Sequence, residues 1–396
     1  MLLDKFAPMV QIRAELAAAG IRPFGAVTER MLSATEAVVE GRSVILAGTN
    51  NYLGLSFDPR CIAAAQEAAA RWGTGTTGSR MANGTFAEHL ALEAELADLY
   101  GLPHAMVFTT GFSATQGLCA TLAGPGDVIL LDADSHASIY SGAQLSGAEV
   151  LRFKHNDPAD LEKRLRRLGE RAADTLIVVE GIYSMLGDTA PLAEIAAVKR
   201  EYGGFLMVDE AHSLGVLGTQ GRGAADAAGI AAAVDFFVGT FSKSLGAIGG
   251  FCASPHAALE AVRFSTRAYI FTASASPSVV ASTRAALAIM RAEPDLQRRL
   301  WANAERLYAG LRDLGLQVGP QPGPVVAVLL DDRDTALAAW QRLLDAGIYV
   351  NLVVPPASPT GASLLRCSLS AAHSDAQIGR IIAAFGDHVA GAAGSP

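Results

Sequence analysis

Apolar residues along this chain come in two textures. Between residues 61 and 100 they recur three and four positions apart, so Cys61–Trp72 and Phe86–Tyr100 each read as a helix, with Gly101 as the second one's stop. From residue 105 they gather into short unbroken runs. Ala105–Phe108, Val128–Leu131, Leu176–Val179, Phe205–Val208 and Phe236–Val238 are apolar throughout and predict strands buried on both faces. Helical patterns at Ser113–Leu122, Ser138–Ser146, Asp157–Leu168 and Leu192–Tyr202 lie between them. Such alternation predicts an α/β fold: a mostly parallel central sheet with helices on both faces.

Past Ser276 the long helices return, at Pro277–Arg291 and Leu296–Leu314. Strands near Val325–Leu330 and Leu364–Ser368 follow, then a last helix from Ser374, which predicts a smaller C-terminal α+β domain. The expected division is an N-terminal arm over 1–45, a large domain over 46–275 and a small domain over 276–396. In the arm, Leu2, Phe6, Met9, Val10 and Leu16 lie near helical spacing, and Pro8 limits where the helix begins. That face is expected to pack on its own protein or a partner subunit, with at most peripheral membrane contact.

A length of 396 residues favours two packed domains over one. A hydrophobic content of 51% excludes disorder as the main state. Lys and Arg number 31 against 39 Asp and Glu, a net charge of −8, which argues against a nucleic-acid partner. Cys61, Cys119, Cys252 and Cys367 have neither metal-ligand spacing nor a disulfide framework, so no metal is expected. The opening Met1-Leu2-Leu3-Asp4-Lys5 lacks the apolar core of a signal peptide, and a cytoplasmic location is expected, at most peripheral at the inner membrane.

Two motifs mislead. Gly73-Thr74-Gly75-Thr76-Thr77-Gly78 spells a dinucleotide loop, but a helical segment precedes it where a strand is required. Asp209-Glu210-Ala211-His212 spells a helicase box, yet the chain has no Gly-x-x-x-x-Gly-Lys-Ser/Thr loop.

Strand ends carry more information, because ligands of open α/β sheets bind at the carboxyl ends of the strands. Phe205–Val208 terminates in Asp209, and the next strand leads into Thr240-Phe241-Ser242-Lys243-Ser244. Lys243 follows Asp209 by 34 residues, about one strand–helix–strand unit, so the two are expected at one sheet edge. Pyridoxal 5′-phosphate needs both groups: a lysine for its aldehyde and a carboxylate for its ring nitrogen. Thr109-Thr110-Gly111-Phe112-Ser113 follows a strand and opens a helix, so its amides can face a phosphate.

With these residues in view, the chain resembles the α-oxoamine synthases, a branch of the fold-type I pyridoxal-phosphate enzymes, across nearly its whole length. The matching strings are Asn50-Asn51-Tyr52-Leu53-Gly54-Leu55, Asp134-Ser135-His136-Ala137-Ser138, Val208-Asp209-Glu210-Ala211-His212-Ser213, Thr240-Phe241-Ser242-Lys243-Ser244 and Leu365-Arg366-Cys367-Ser368. The run from Gly73 to Phe86, and less specifically Lys154-His155-Asn156-Asp157, look most like the soluble bacterial members that use L-serine and a long-chain acyl-CoA. Siblings make aminoketobutyrate, aminooxononanoate or aminolevulinate, and some members are partner subunits that have lost the lysine.

The resemblance implies that Lys243 holds the cofactor and serves as base at the amino-acid Cα. It implies that Asp209 pairs with the ring nitrogen, His136 stacks on the ring and reaches the substrate carboxylate, and His212 bonds the ring oxygen. Gly111, Phe112 and Thr240 would hold the phosphate, Thr272 would reach it from the partner subunit of a homodimer, and Asn51 and Arg366 would grip the amino-acid carboxylate. Val354 precedes Pro355-Pro356 where some relatives carry an arginine.

Overall fold

The structure is a computed structural model that describes residues 2–18, 20–355, 357–358 and 361–390. The chain forms two compact units. One comprises Asn50–Ala302 with Ser370–Ala372, the other Met1–Thr49 with Asn303–Leu369 and His373–Pro396. The boundaries therefore fall after Thr49 and inside the helix Pro294–Asp313, where the sequence pattern suggested 45/46 and 275/276. Helix Pro277–Ala292, expected to open the small domain, instead packs against helix Pro59–Trp72 of the first unit. The latter helix starts where Asp58 accepts the Arg60 N–H at 2.8 Å with Pro59 behind it, and stops at Gly73.

The first unit is built on a seven-stranded sheet. We label its strands β1 (His104–Phe108), β2 (Val128–Asp132), β3 (Glu149–Phe153), β4 (Thr175–Glu180), β5 (Phe205–Asp209), β6 (Phe236–Thr240) and β7 (Gly250–Ser254). Their order is β1-β7-β6-β5-β4-β2-β3; β7 runs antiparallel to both neighbours and the other pairings are parallel. Five of these strands match the apolar runs in the sequence. Two do not: β3 is a half-exposed edge, and β7 begins at Gly250 with small residues.

Met106, Leu118, Ile129, Leu131, Val178, Met207 and Val238 form part of one core under the sheet, each almost wholly buried. Each such side chain is worth about 1.5–3 kcal/mol by burial, which makes the sheet a rigid base for groups at its edge. Because β7 is reversed, its beginning and the carboxyl ends of the other strands share that edge.

The second unit contains strands the sequence pattern did not predict. Thr28–Met31, Glu36–Val39 and Arg42–Leu46 form an antiparallel meander inside the stretch expected to be an arm. Ile348–Tyr349 pairs parallel to its last strand, Ile348 opposite Ile45. The expected strands Val325–Leu330 and Ser363–Ser368 do form, joined by Asn351–Val353 in a three-stranded antiparallel sheet. Trp340, on helix Arg333–Asp345, is buried and donates its indole N–H to the Val350 carbonyl at 2.9 Å. The N-terminal helix is Ala7–Ala18, and Pro8 sits in its first turn, where it removes no helical hydrogen bond. Leu2, Phe6, Met9 and Val10 are exposed. Among the described residues, no helix is long and apolar enough to cross a membrane.

Candidate active site

Six strands of the first unit deliver residues to one cavity of about 320 Å³ at the sheet edge. The turn after β1 brings Thr110, Gly111 and Phe112, and that after β2 brings His136 and Ser138. From β4 comes Glu180, from β5 Asp209 and His212, and from β6 Thr240, Ser242 and Lys243. The approach to β7 adds Ile248 and Gly249.

Asp209 lies at the floor, 5% exposed. One carboxylate oxygen accepts the Thr115 hydroxyl at 3.1 Å and the other the Ala211 N–H at 2.9 Å, which fixes the orientation of the group. His136 caps helix Ala137–Ser146, its Nδ1 accepting the Ser138 N–H at 3.2 Å. An amide can only donate, so Nδ1 carries the lone pair and the ring proton sits on Nε2. The ring opens onto the cavity while the walls behind it desolvate it. That desolvation, reinforced by the Lys243 charge and opposed by Asp209, lowers its pKa and keeps it neutral. His212 Nδ1 lies 2.7 Å from the Tyr52 hydroxyl. Glu180 is the sheet partner of Asp209 and accepts the His136 backbone N–H at 2.5 Å. Burial, and secondarily the Asp209 charge, hold its pKa well above the ordinary carboxylate value.

Gly111 opens helix Gly111–Leu122, capped by Thr110, whose hydroxyl accepts the Ser113 N–H at 2.9 Å. The first amides of a helix have no intrahelical acceptor and suit an anion. A Cβ at Gly111 would stand 2.6 Å from Thr240 Cβ and 2.8 Å from its Oγ1, so only glycine keeps the helix start this close to Thr240. The Thr240 hydroxyl donates to the Gly249 carbonyl at 3.0 Å and accepts the Ser242 N–H at 3.2 Å. This glycine-floored cradle, with a lysine and a buried carboxylate beside it, fits a phosphorylated pyridine aldehyde.

The cavity thus joins seven expected residues, Lys243, Asp209, His136, His212, Gly111, Phe112 and Thr240, and adds Thr110 from the same turn. Thr272 does not line it; this residue follows the short helix Arg267–Ile270 in a separate crevice with Arg80 and His89. Neither Asn51 nor Arg366 lines it either. Asn51 donates to the Ser56 hydroxyl at 2.7 Å. Arg366 belongs to the second unit, buried on strand Ser363–Ser368 and donating to Ser368 Oγ at 2.7 Å. Val354 is half-buried, and Pro356 lies outside the described residues. Sequence reasoning missed Glu180, although Leu176–Val179 ends in an acid just as Phe205–Val208 does. It also missed Thr115, one helical turn past Gly111.

The dense glycines at 73–84 have a structural explanation. The Ser274 N–H donates to the Gly78 carbonyl at 2.9 Å, and a Cβ at Gly84 would stand 2.2 Å from that same oxygen. No helix begins there, which removes the dinucleotide reading.

This architecture is that of a fold-type I pyridoxal-phosphate transferase: a mostly parallel sheet with lysine, carboxylate and helix start at one edge. Residues 42–385 match the class I and II aminotransferase family, and the chain belongs to that family. A serine palmitoyltransferase of Caulobacter vibrioides is 58% identical over 368 residues, 93% of this chain and 91% of its own length. The solved serine palmitoyltransferase of Sphingomonas wittichii matches with a TM-score of 0.96 at 50% identity, covering 99% of this chain and 98% of that one. An 8-amino-7-oxononanoate synthase of Methylococcus capsulatus is 39% identical over 356 residues, 90% of this chain and 92% of its own.

Proposed function

We propose that this chain is a pyridoxal-phosphate-dependent acyltransferase that condenses L-serine with a long-chain acyl-CoA such as palmitoyl-CoA. The products are 3-oxosphinganine, CoA and carbon dioxide, and the reaction is the first step of sphingolipid synthesis. The observation that carries this reading is the convergence of Lys243, Asp209 and His136 on one cavity in a chain 58% identical to a serine palmitoyltransferase. A bond forms between serine Cα and the acyl carbonyl carbon. The C–S bond breaks to release the thiol, and the bond from Cα to the carboxylate breaks to release carbon dioxide. No oxidant or reductant is required.

When bound, pyridoxal phosphate supplies an aldehyde that condenses with amines and a protonated ring that accepts the electron pair left at Cα. The Lys243 Nζ would hold its aldehyde and, as a free amine, would be the base that takes the Cα proton. Asp209, oriented by Thr115 and the Ala211 amide, keeps the proton on the ring nitrogen. His212, backed by Tyr52, bonds the ring oxygen. The Gly111 and Phe112 amides and the Thr240 hydroxyl would hold the phosphate. His136 would lie against the ring and offer its Nε2–H to the substrate carboxylate, with Asn51 and Arg366 as the other groups that would bind it. Holding the carboxylate fixes the direction of the Cα–H bond, the kind of orientation that lowers a barrier without new chemistry. In a cytoplasmic homodimer, at most peripheral to the membrane, the partner subunit's Thr272 completes the phosphate site.

The test supplies L-serine, glycine, L-alanine and L-threonine separately with an acyl-CoA length series, and follows thiol release. Fastest release with L-serine and a palmitoyl-length donor is expected. Preference for alanine with a short dicarboxylic donor would place the chain with the oxononanoate synthases. Bound cofactor without release in any pairing would make it a partner subunit.

A further inference from the structure

His155 lies outside the cavity lining, between two acids. Its Nδ1 is 2.8 Å from Asp132 Oδ1 and its Nε2 is 2.7 Å from Asp188 Oδ2. Facing a carboxylate on each side, both ring nitrogens donate, which only the imidazolium can do. Burial alone would lower the pKa of this ring, but the bonds and charges of Asp132 and Asp188 override it and push the value up to about 10. Asn156, held at a φ of +52°, closes the clamp. It donates its backbone N–H to Asp132 Oδ2 at 2.9 Å and its side-chain amide to Asp188 Oδ2 at 2.8 Å.

Asp132 is fully buried and is the last residue of β2, from which the chain turns toward His136. The oxygen that meets His155 also accepts the Asp134 N–H at 2.9 Å, and the Asp132 carbonyl accepts the Ser135 N–H at 3.2 Å. The carboxylate held by His155 is therefore the one that shapes the turn. At the far end of the turn the His136 N–H meets Glu180. The Glu180 N–H in turn points at the Tyr183 hydroxyl, 3.5 Å away. The Tyr183 ring stands edge-on to His155 with centroids 4.5 Å apart. Both anchors of the turn lead back to one imidazolium.

We propose that His155 is a positioning residue of the acyl-transfer site: through Asp132 on one side and Tyr183 and Glu180 on the other, it fixes the turn that presents His136 to the amino-acid carboxylate. This rests on the role given above to His136. A purely stabilising ion pair would lower the melting temperature without coupling to His136. A positioning device must lose its effect when His136 is gone.

The experiment is a double-mutant cycle on the holoenzyme with His155→Gln and His136→Ala. Three quantities are followed: the serine dissociation constant from the change in cofactor absorbance, kcat/KM for serine, and thermal melting of the cofactor-free proteins. In the wild-type background His155→Gln is expected to weaken serine binding and kcat/KM by about tenfold, within the range of coupled neighbours. In the His136→Ala background the same change is expected to cost less than about twofold. If His155→Gln does not fold, Asp132→Asn/His155→Gln, which leaves no lone charge on Asp132, replaces it in the cycle. Equal losses in both backgrounds would overturn the proposal while leaving the reaction intact. A wild-type holoenzyme whose absorbance ignores L-serine would overturn the functional reading and this inference with it.

Discussion

Asp209 and Glu180 end neighbouring strands, face each other in register, and open on the same cavity, yet they are built for different work. Two donors converge on Asp209: a hydroxyl from the helix over the sheet and a backbone N–H two residues on. Glu180 accepts the His136 amide, and its burial, with the Asp209 charge beside it, drives it toward the protonated form. A third acid, Asp132, ends the next strand along and is matched to an imidazolium. Three acids at the ends of neighbouring strands thus reach three outcomes. Glu180 and Asp209 share a register position and a face, Asp132 falls one residue short of them, and the flanking groups aimed at each carboxyl decide the rest.

The contrast can be broken in four ways. The largest effect is expected from Asp209→Asn, which should retain cofactor, checked by visible absorbance, but lose roughly 10²–10³ in turnover. Undiminished turnover would erase the distinction between the two acids. Thr115→Val removes one donor to Asp209 and should cost about three- to tenfold in kcat, measured by thiol release. Glu180→Gln keeps an acceptor for the His136 amide and mimics the protonated acid, so turnover should stay within about threefold. Its pH signature is more telling. A carboxyl whose folded pKa is raised loses stability as pH climbs above the ordinary value near 4.5, so the variant's melting temperature should gain on wild type as pH rises above that value.

The last test concerns the partner of the third acid. The pKa of His155 is raised on folding, so its contribution is complete below the ordinary value near 6.5 and fades as pH rises through about 10. The melting difference between wild type and His155→Gln should narrow across that window.

These environments explain what was legible beforehand. β2, β4, β5 and β6 are covered on both faces, and that writes an unbroken apolar run into the sequence. β3 lies at the sheet edge with Arg152 exposed, and Thr28–Met31 is exposed throughout, so neither leaves a signature that distinguishes it from a loop. Asp209 and Lys243 were legible because each follows an apolar strand. Glu180 sent the same signal, but no motif pointed to it. Thr115 and Tyr52 act through partners far away in sequence, which spacing does not reveal. The environments of Arg366 and Thr272 were illegible for another reason: their placements depend on folded neighbours outside the cavity walls.

The pairing of Ile45 with Ile348 has a consequence for the making of this molecule. During synthesis the early meander must wait for some three hundred further residues before its neighbouring strand exists, while the seven-stranded sheet is complete at Ser254. Vectorial translation therefore favours a nascent chain whose catalytic core closes first, its opening segment held in reserve until late in elongation.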